Sequence, residues 1–303
     1  MQPVQVPDRL NPGDEIRIVS PASVVEEDYI NNTVRAISEL GYKVKLGNHV
    51  FHSRHQYAGS DMQRLSDFQE AVDDKNVKAV FCARGGYGSM RIVDKINFNH
   101  FSKHPKWIVG FSDITVFHSL LNCHFNCASI HSPMPVNFNS PFFRSNLSAL
   151  DEMLKGQLPE ITFPADPLNR FGSAEGKLVG GNLSILIHLQ GTPFEVFTEN
   201  AILFLEDVGE QLYHLDRMMQ SLLLSGKLGK LNGLMVGGLT DMSDKKRPFG
   251  KTPGEIVYDA VKDFNYPVGF GFPAGHMENN RPFILGTKVK LNIGSADSSI
   301  QYI

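Results

Sequence analysis

Three residues of this chain have the types that acyl transfer without a metal requires: a serine at Ser112, a histidine at His276 and a carboxylate at Glu206. A serine hydroxyl is a weak nucleophile until a base takes its proton, and the base works best when a third group fixes its tautomer. Val109-Gly110-Phe111-Ser112-Asp113 places the serine at a tight strand-to-helix junction, where a helix N-terminus stabilises a developing oxyanion. Ile114 stands where a G-x-S-x-G elbow has its second glycine, and the competing reading is that Ser112 or Asp113 simply caps the helix. His276 is delivered by Gly271-Phe272-Pro273-Ala274-Gly275, a loop of the kind on which catalytic bases tend to lie. His131, in Ile130-His131-Ser132-Pro133, is its rival, whereas His118 and His188 fall inside helical patterns and read as partly packed. Glu206 ends the apolar run Ile202-Leu203-Phe204-Leu205, and Asp207 and Glu210 compete for its role.

A second loop, Arg84-Gly85-Gly86-Tyr87-Gly88, follows a β-rich run, so its amides are placed to face an anion. It is neither G-x-G-x-x-G nor a P-loop, since no lysine follows, and a tight turn with close helix packing is the plain alternative. Arg84 is a candidate for holding a substrate carboxylate, against a surface ion pair. Asn182, after Gly180-Gly181, either contacts substrate or caps the next helix. Cys123-x-x-x-Cys127 encloses His124 but lacks a second ligand pair at zinc spacing, so Cys82, Cys123 and Cys127 read as reduced thiols and no metal or cofactor is expected.

The elements that must position these residues alternate. Glu15–Ser20, Tyr42–Leu46, Val77–Ala83 and Trp107–Gly110 read as strands, separated by helices at Glu26–Leu40 and Asp61–Val72. The latter presents Met62, Leu65, Phe68 and Val72 on one face. Further helices are expected from the glycine loop to Ile96 and from Ser112 to Asn122. This is the pattern of an α/β fold on a parallel sheet, with its functional loops at the carboxyl ends of the strands. Prolines crowd the following stretch around one helix, Arg144–Lys155, which reads as an interdomain crossover. Beyond it, strands at 176–179, 201–206, 233–236 and 288–293 and helices at 182–189, 211–224 and 253–264 make a second α/β region. The expected division is an N-terminal domain at 1–135, a crossover at 136–172 and a C-terminal domain at 173–303.

Composition excludes several classes. A net charge of −3 from 29 basic and 32 acidic residues leaves no footprint for nucleic acid. No apolar run reaches the roughly 18 residues of a membrane span, and no basic and apolar leader opens the chain, so a soluble, cytoplasmic protein is expected.

Taken as an ordered set, these segments resemble the LD-carboxypeptidase family of serine peptidases, which includes murein tetrapeptide carboxypeptidases and microcin C immunity peptidases. The resemblance rests on Pro12-Gly13-Asp14 before the 16–21 strand, Tyr57-Ala58-Gly59-Ser60-Asp61 with Arg64 and Asp67, and the Ala83–Gly88 loop. Val109–Asp113, Val179–Leu183, Leu205-Glu206-Asp207 and Gly271–His276 complete it, spanning nearly the whole chain. It implies a flavodoxin-like N-terminal domain and a smaller, swivelling α/β C-terminal domain, often as a homodimer, with the site in the groove between domains. Ser112 then matches the family nucleophile, Glu206 its triad carboxylate, His276 its general base, and the amides of Gly86 and Asp113 its oxyanion hole. Phe111 stands where family members usually have Tyr, which removes one hydroxyl. The implied function is removal of a terminal D-alanine from a murein tetrapeptide. Cleavage of a peptidyl-nucleotide antibiotic and peptide binding without turnover are the alternatives. The phenylalanines of the 133–172 stretch, without a Trp, lean toward the first.

Overall fold

The computed structural model describes residues 3–303, which divide into two compact units. One runs to Gln157 and takes in Glu278–Leu285; the other is Leu158–Met277 with Gly286–Ile303.

In the first unit β1 (Glu15–Val19), β2 (Lys43–Leu46), β3 (Val77–Cys82), β4 (Trp107–Gly110) and β5 (Ser129–His131) are parallel, in the order β5-β4-β3-β1-β2. That is a flavodoxin-like winding, and its order reverses beside β1 and β3, where ligand crevices of such sheets lie. The chain adds an antiparallel edge strand to β5 from far downstream, Phe283–Leu285. Ile16, Ile18, Val80 and Ile108 are fully buried, as an apolar parallel sheet covered on both faces requires.

The helices α1 (Glu27–Glu39) and α2 (Asp61–Asp73) fall where the periodicity places them. Ser60 and Gln63 form a capping box at the start of α2. The face of α2 is turned from the expected one: Met62 is 70% exposed, while Arg64 and Asp67 are buried. Arg64 can be buried because Nε donates to the Pro21 carbonyl (3.0 Å), Nη1 to the Gly59 carbonyl (3.0 Å) and Nη2 to Asp61 (2.6 Å). It thereby braces the loop leaving β1.

The segment expected as a helix to Ile96 is two single 3-10 turns, Ser89–Arg91 and Val93–Lys95, because Ile92 between them lies at φ −122°. The helix after Ser112 is composite: a 3-10 turn (Ser112–Ile114), α3 (Thr115–Ser119) and a π turn (Leu120–His124). The proline-rich stretch is not a bare connection. Its helix α4 (Phe143–Leu154) buries Leu150, Met153 and Leu154 within the first unit.

The second unit is built on a seven-stranded mixed sheet. It contains β6 (Ile161–Pro164), β7 (Gly172–Asn182), α5 (Leu183–Leu189), β8 (Ala201–Val208), α6 (Leu212–Leu224), β9 (Gly233–Thr240), α7 (Pro253–Val261) and β10 (Val268–Gly269). With Phe283–Leu285 of the first unit counted as β11, β12 (Lys288–Ile293) and β13 (Asp297–Tyr302) follow. Strands β7 to β10 are parallel neighbours, and β12, β13 and β6 extend the β7 edge antiparallel. Between β8 and β9 the register slips at Glu206, where β9 carries one extra residue at the Gly237-Gly238 pair. Such a bulge re-aims the side chain it faces.

Candidate active site

In the first unit the chain leaves β4 through a distorted turn. Ser112 has φ +63°, a left-handed conformation that costs a non-glycine residue roughly 1–3 kcal/mol. The surroundings enforce it. A side chain at Gly85 would come within 2.9 Å of Ser112 Cβ, 3.1 Å of its Oγ and 3.2 Å of the Asp113 amide nitrogen. Glycine therefore keeps the space before hydroxyl and amide clear. The Ile114 side chain, in place of an elbow's second glycine, packs against Gly110, where a Cβ would lie 3.0 Å from it.

The glycine loop follows β3 and is zipped to the loop leaving β1. Ser23 N donates to the Gly85 carbonyl at 3.1 Å, and Tyr87 N to Ser23 Oγ at 3.3 Å. Gly86 has φ +91°, and a Cβ there would meet Ser23 Oγ at 2.2 Å. Asp113 is buried and accepts the Ser89 amide at 2.8 Å; burial pushes its carboxyl above the usual range. Arg84 is exposed and donates through Nη1 to the Val24 carbonyl at 2.8 Å. Ser112, Asp113, Gly85, Gly86 and Arg84 thus all belong to one unit.

Glu206 and His276 come together in the other. Glu206 is fully buried in β8 opposite the bulge in β9, and its Oε2 accepts His276 Nδ1 at 2.7 Å and the His276 backbone amide at 3.0 Å. One carboxylate oxygen therefore fixes ring and main chain together, directs the Nδ1 proton and leaves Nε2 as the basic nitrogen. Gly275 makes this approach possible, since a Cβ there would lie 2.7 Å from Glu206 Cβ. Thr240 Oγ1 donates to the His276 carbonyl at 2.6 Å. Burial pulls the imidazole pKa down, but the Glu206 carboxylate outweighs it, and the pKa ends above the ordinary 6.5.

The competing residues have other work. Asp207 accepts Asn182 Nδ2, Ser184 N and Val208 N, each at 2.9 Å, and burial pushes it up to about 6. Asn182 Oδ1 caps α5 by accepting Ile185 N at 3.1 Å. Glu210 pairs with His214. His131 is buried in β5 with Nε2 3.0 Å from Asn280 Oδ1 and its ring stacked on Phe283. His118 is not partly packed but wholly buried, bonded at both ring nitrogens. Sequence reading missed Gly237, whose Cβ would meet the Ala274 carbonyl at 2.3 Å as the His276 loop passes. Its signal is the glycine pair directly after an apolar strand. Cys82 and Cys127 are buried thiols, and no cluster of three metal-ligating side chains occurs among the described residues.

Comparison with known proteins covers both halves of this arrangement. The profile of the LD-carboxypeptidase N-terminal domain matches residues 16–132, and that of the LD-carboxypeptidase C-terminal domain matches 175–291. A probable murein peptide carboxypeptidase of Bacillus subtilis (strain 168) is 33% identical over 302 residues, covering 97% of this chain and 94% of its own. The crystal structure of muramoyltetrapeptide carboxypeptidase from Oxalobacter formigenes matches with a TM-score of 0.84 at 27% identity, covering 95% of this chain and 98% of that one. The wild-type microcin C7 self immunity protein has the same fold, with a TM-score of 0.85 at 20% identity and coverage of 99% and 98%.

Proposed function

The chain belongs to the LD-carboxypeptidase family of serine peptidases, and from that premise we propose that it removes the terminal D-alanine from murein tetrapeptides. The observation that carries the reading is the Glu206–His276 pair, in which a buried carboxylate takes both the ring and the main-chain donor of one histidine. A histidine so fixed is a general base in waiting, and Ser112, held in a strained turn with the space before it kept clear by glycine, supplies the nucleophile.

In the proposed reaction Ser112 Oγ bonds to the carbonyl carbon of the amide before the D-residue as His276 Nε2 takes its proton. The amides of Gly86 and Asp113 hold the resulting oxyanion. His276 then gives the proton to the departing amine, the carbon–nitrogen bond breaks, and an acyl-Ser112 remains. Water, deprotonated by His276, resolves the ester and restores the serine. No step requires a metal or cofactor. Arg84 and Gly85 are proposed to border the substrate's terminal carboxylate. Asn182, which caps α5 and donates to Asp207, is proposed as a further substrate-binding residue.

The domain division that serves this reaction is a nucleophile domain at 1–135, a connecting stretch at 136–172 and a base domain at 173–303. No helix among the described residues is long and apolar enough to cross a membrane. We place the activity in the cytoplasm, on peptides recovered from the wall, with the enzyme as a homodimer. The test is mass spectrometry of murein tetrapeptide incubated with wild type and with Ser112→Ala. Loss of one alanine with wild type alone is expected. No release by wild type overturns the murein reading and favours a peptidyl-nucleotide substrate or binding without turnover.

A further inference from the structure

One buried histidine lies close to the nucleophile turn without belonging to the triad. His118, on α3, is completely shielded from solvent. Its Nε2 lies 2.8 Å from the carbonyl oxygen of Gly110, the last residue of β4, and its Nδ1 lies 2.9 Å from Ser129 Oγ on β5. A carbonyl only accepts, so Nε2 carries the ring proton and Nδ1 accepts from the Ser129 hydroxyl. The hydroxyl proton is available for this because Ser129 Oγ itself accepts Asn122 Nδ2 at 3.0 Å. Asn122 lies in the π turn that continues α3, and the same Nδ2 donates to the Cys127 carbonyl at 2.9 Å. The donors therefore run one way, from Asn122 to Ser129 to His118 to the Gly110 carbonyl. Burial pulls the imidazole down to about 4, which keeps it neutral at working pH and the direction fixed.

The end of this chain matters because of what the Gly110 carbonyl does next. Its peptide plane is the one entering Phe111, whose backbone lies at φ −151° and ψ −171° immediately before Ser112 at φ +63°. The carbonyl also accepts the Ser132 amide, at 3.2 Å, so two donors hold the plane that leads into the strained residue. Released from that hold, the turn can relax toward an ordinary conformation and carry the Ser112 hydroxyl away from its mark.

We propose that His118 is a positioning residue for the nucleophile: a neutral imidazole, its tautomer set by Ser129 and Asn122, that clamps the Gly110 peptide and holds Ser112 in its attacking conformation. The proposal rests on the reading of Ser112 as nucleophile, and the experiment separates the two. Purified His118→Leu, His118→Gln, Ser129→Ala and Ser112→Ala are compared with wild type for kcat, KM and thermal midpoint on murein tetrapeptide. Gln offers a donor and an acceptor at comparable reach; Leu offers neither. The expected result is that His118→Leu lowers kcat about 10- to 100-fold with KM within about twofold, as misplacing a nucleophile does. His118→Gln recovers most of that loss, and Ser129→Ala lowers kcat a few-fold. A His118→Leu enzyme that is less heat-stable yet keeps wild-type kcat overturns the proposal, because the ring is then only filling the core. If the Leu variant does not fold, wild-type kcat in Ser129→Ala overturns it equally. Turnover persisting in Ser112→Ala rejects the nucleophile assignment instead.

Discussion

At the end of β4 the backbone is bent out of its ordinary range and glycines clear the ground, with Ser112 at φ +63° and Gly85 facing it across a gap no side chain fits. At the end of β8 the strand runs on through Glu206 to Val208, and a part-buried hydrogen bond from the His276 ring to a carboxylate does the positioning. One half of the proposed chemistry is held by shape, the other by charge. Shape is indifferent to pH, whereas a histidine raised above 6.5 by its carboxylate partner is not. The protonated pair contributes stability in full below pH 6.5, and that contribution is lost as pH rises through the higher folded-state value. Since the proposed base works only when neutral, activity is expected to rise over the interval in which that stabilisation fades.

Four substitutions break or sharpen the contrast. Ser112→Ala removes the proposed nucleophile itself and is expected to lower kcat by about 10^4- to 10^6-fold in steady-state assays, with the thermal midpoint little changed because alanine keeps the Cβ that the left-handed turn opposes. Next comes Glu206→Gln, for which a loss of roughly 10^3- to 10^4-fold is expected. Its diagnostic readout is the pH profile: without the carboxylate, burial of His276 is opposed only by the charges of Asp207 and Asp241, and the acid limb of kcat/KM moves to lower pH. Gly85→Ala, which drives a Cβ against Ser112, is expected to cost about 10^2-fold in kcat while leaving that limb where wild type has it. A shifted limb in Gly85→Ala, or an unshifted one in Glu206→Gln, would break the division between shape and charge. Thr240→Val deletes the donor to the His276 carbonyl and is expected to lower kcat only a few-fold, with about 1 kcal/mol of stability lost in urea unfolding.

Much of this was legible in sequence because the information is local. An apolar run ending in Glu206, or one passing through Gly110 into Ser112, announces a strand end by composition alone, and the glycines mark where the chain must bend. Alternating strands and helices announce a parallel sheet, whereas the order β5-β4-β3-β1-β2 is the flavodoxin-like one that the family resemblance implied. What was not legible depends on partners distant in sequence. Arg64 lies off the apolar face that periodicity gives its helix, and its burial is explained only by the carbonyls of Pro21 and Gly59 that satisfy it. His118 looks partly packed until Ser129 and Gly110 are found at its two nitrogens. The 3-10 turns after Gly88 defeat a helical reading because Ile92 leaves the helical region, which a helix-compatible composition does not reveal.

The strand β11 has its own consequence, for the order in which the molecule is made. Phe283–Leu285 pairs with Ser129–His131, so the first unit's sheet lacks an edge until the ribosome has added about 150 further residues, roughly 8–30 s of synthesis. During that time β5 presents unpaired backbone groups, the template on which nascent chains join one another. The N-terminal sheet is thus begun first and sealed only when most of the second unit has been made, and its final strand is one for which a chaperone would have to wait.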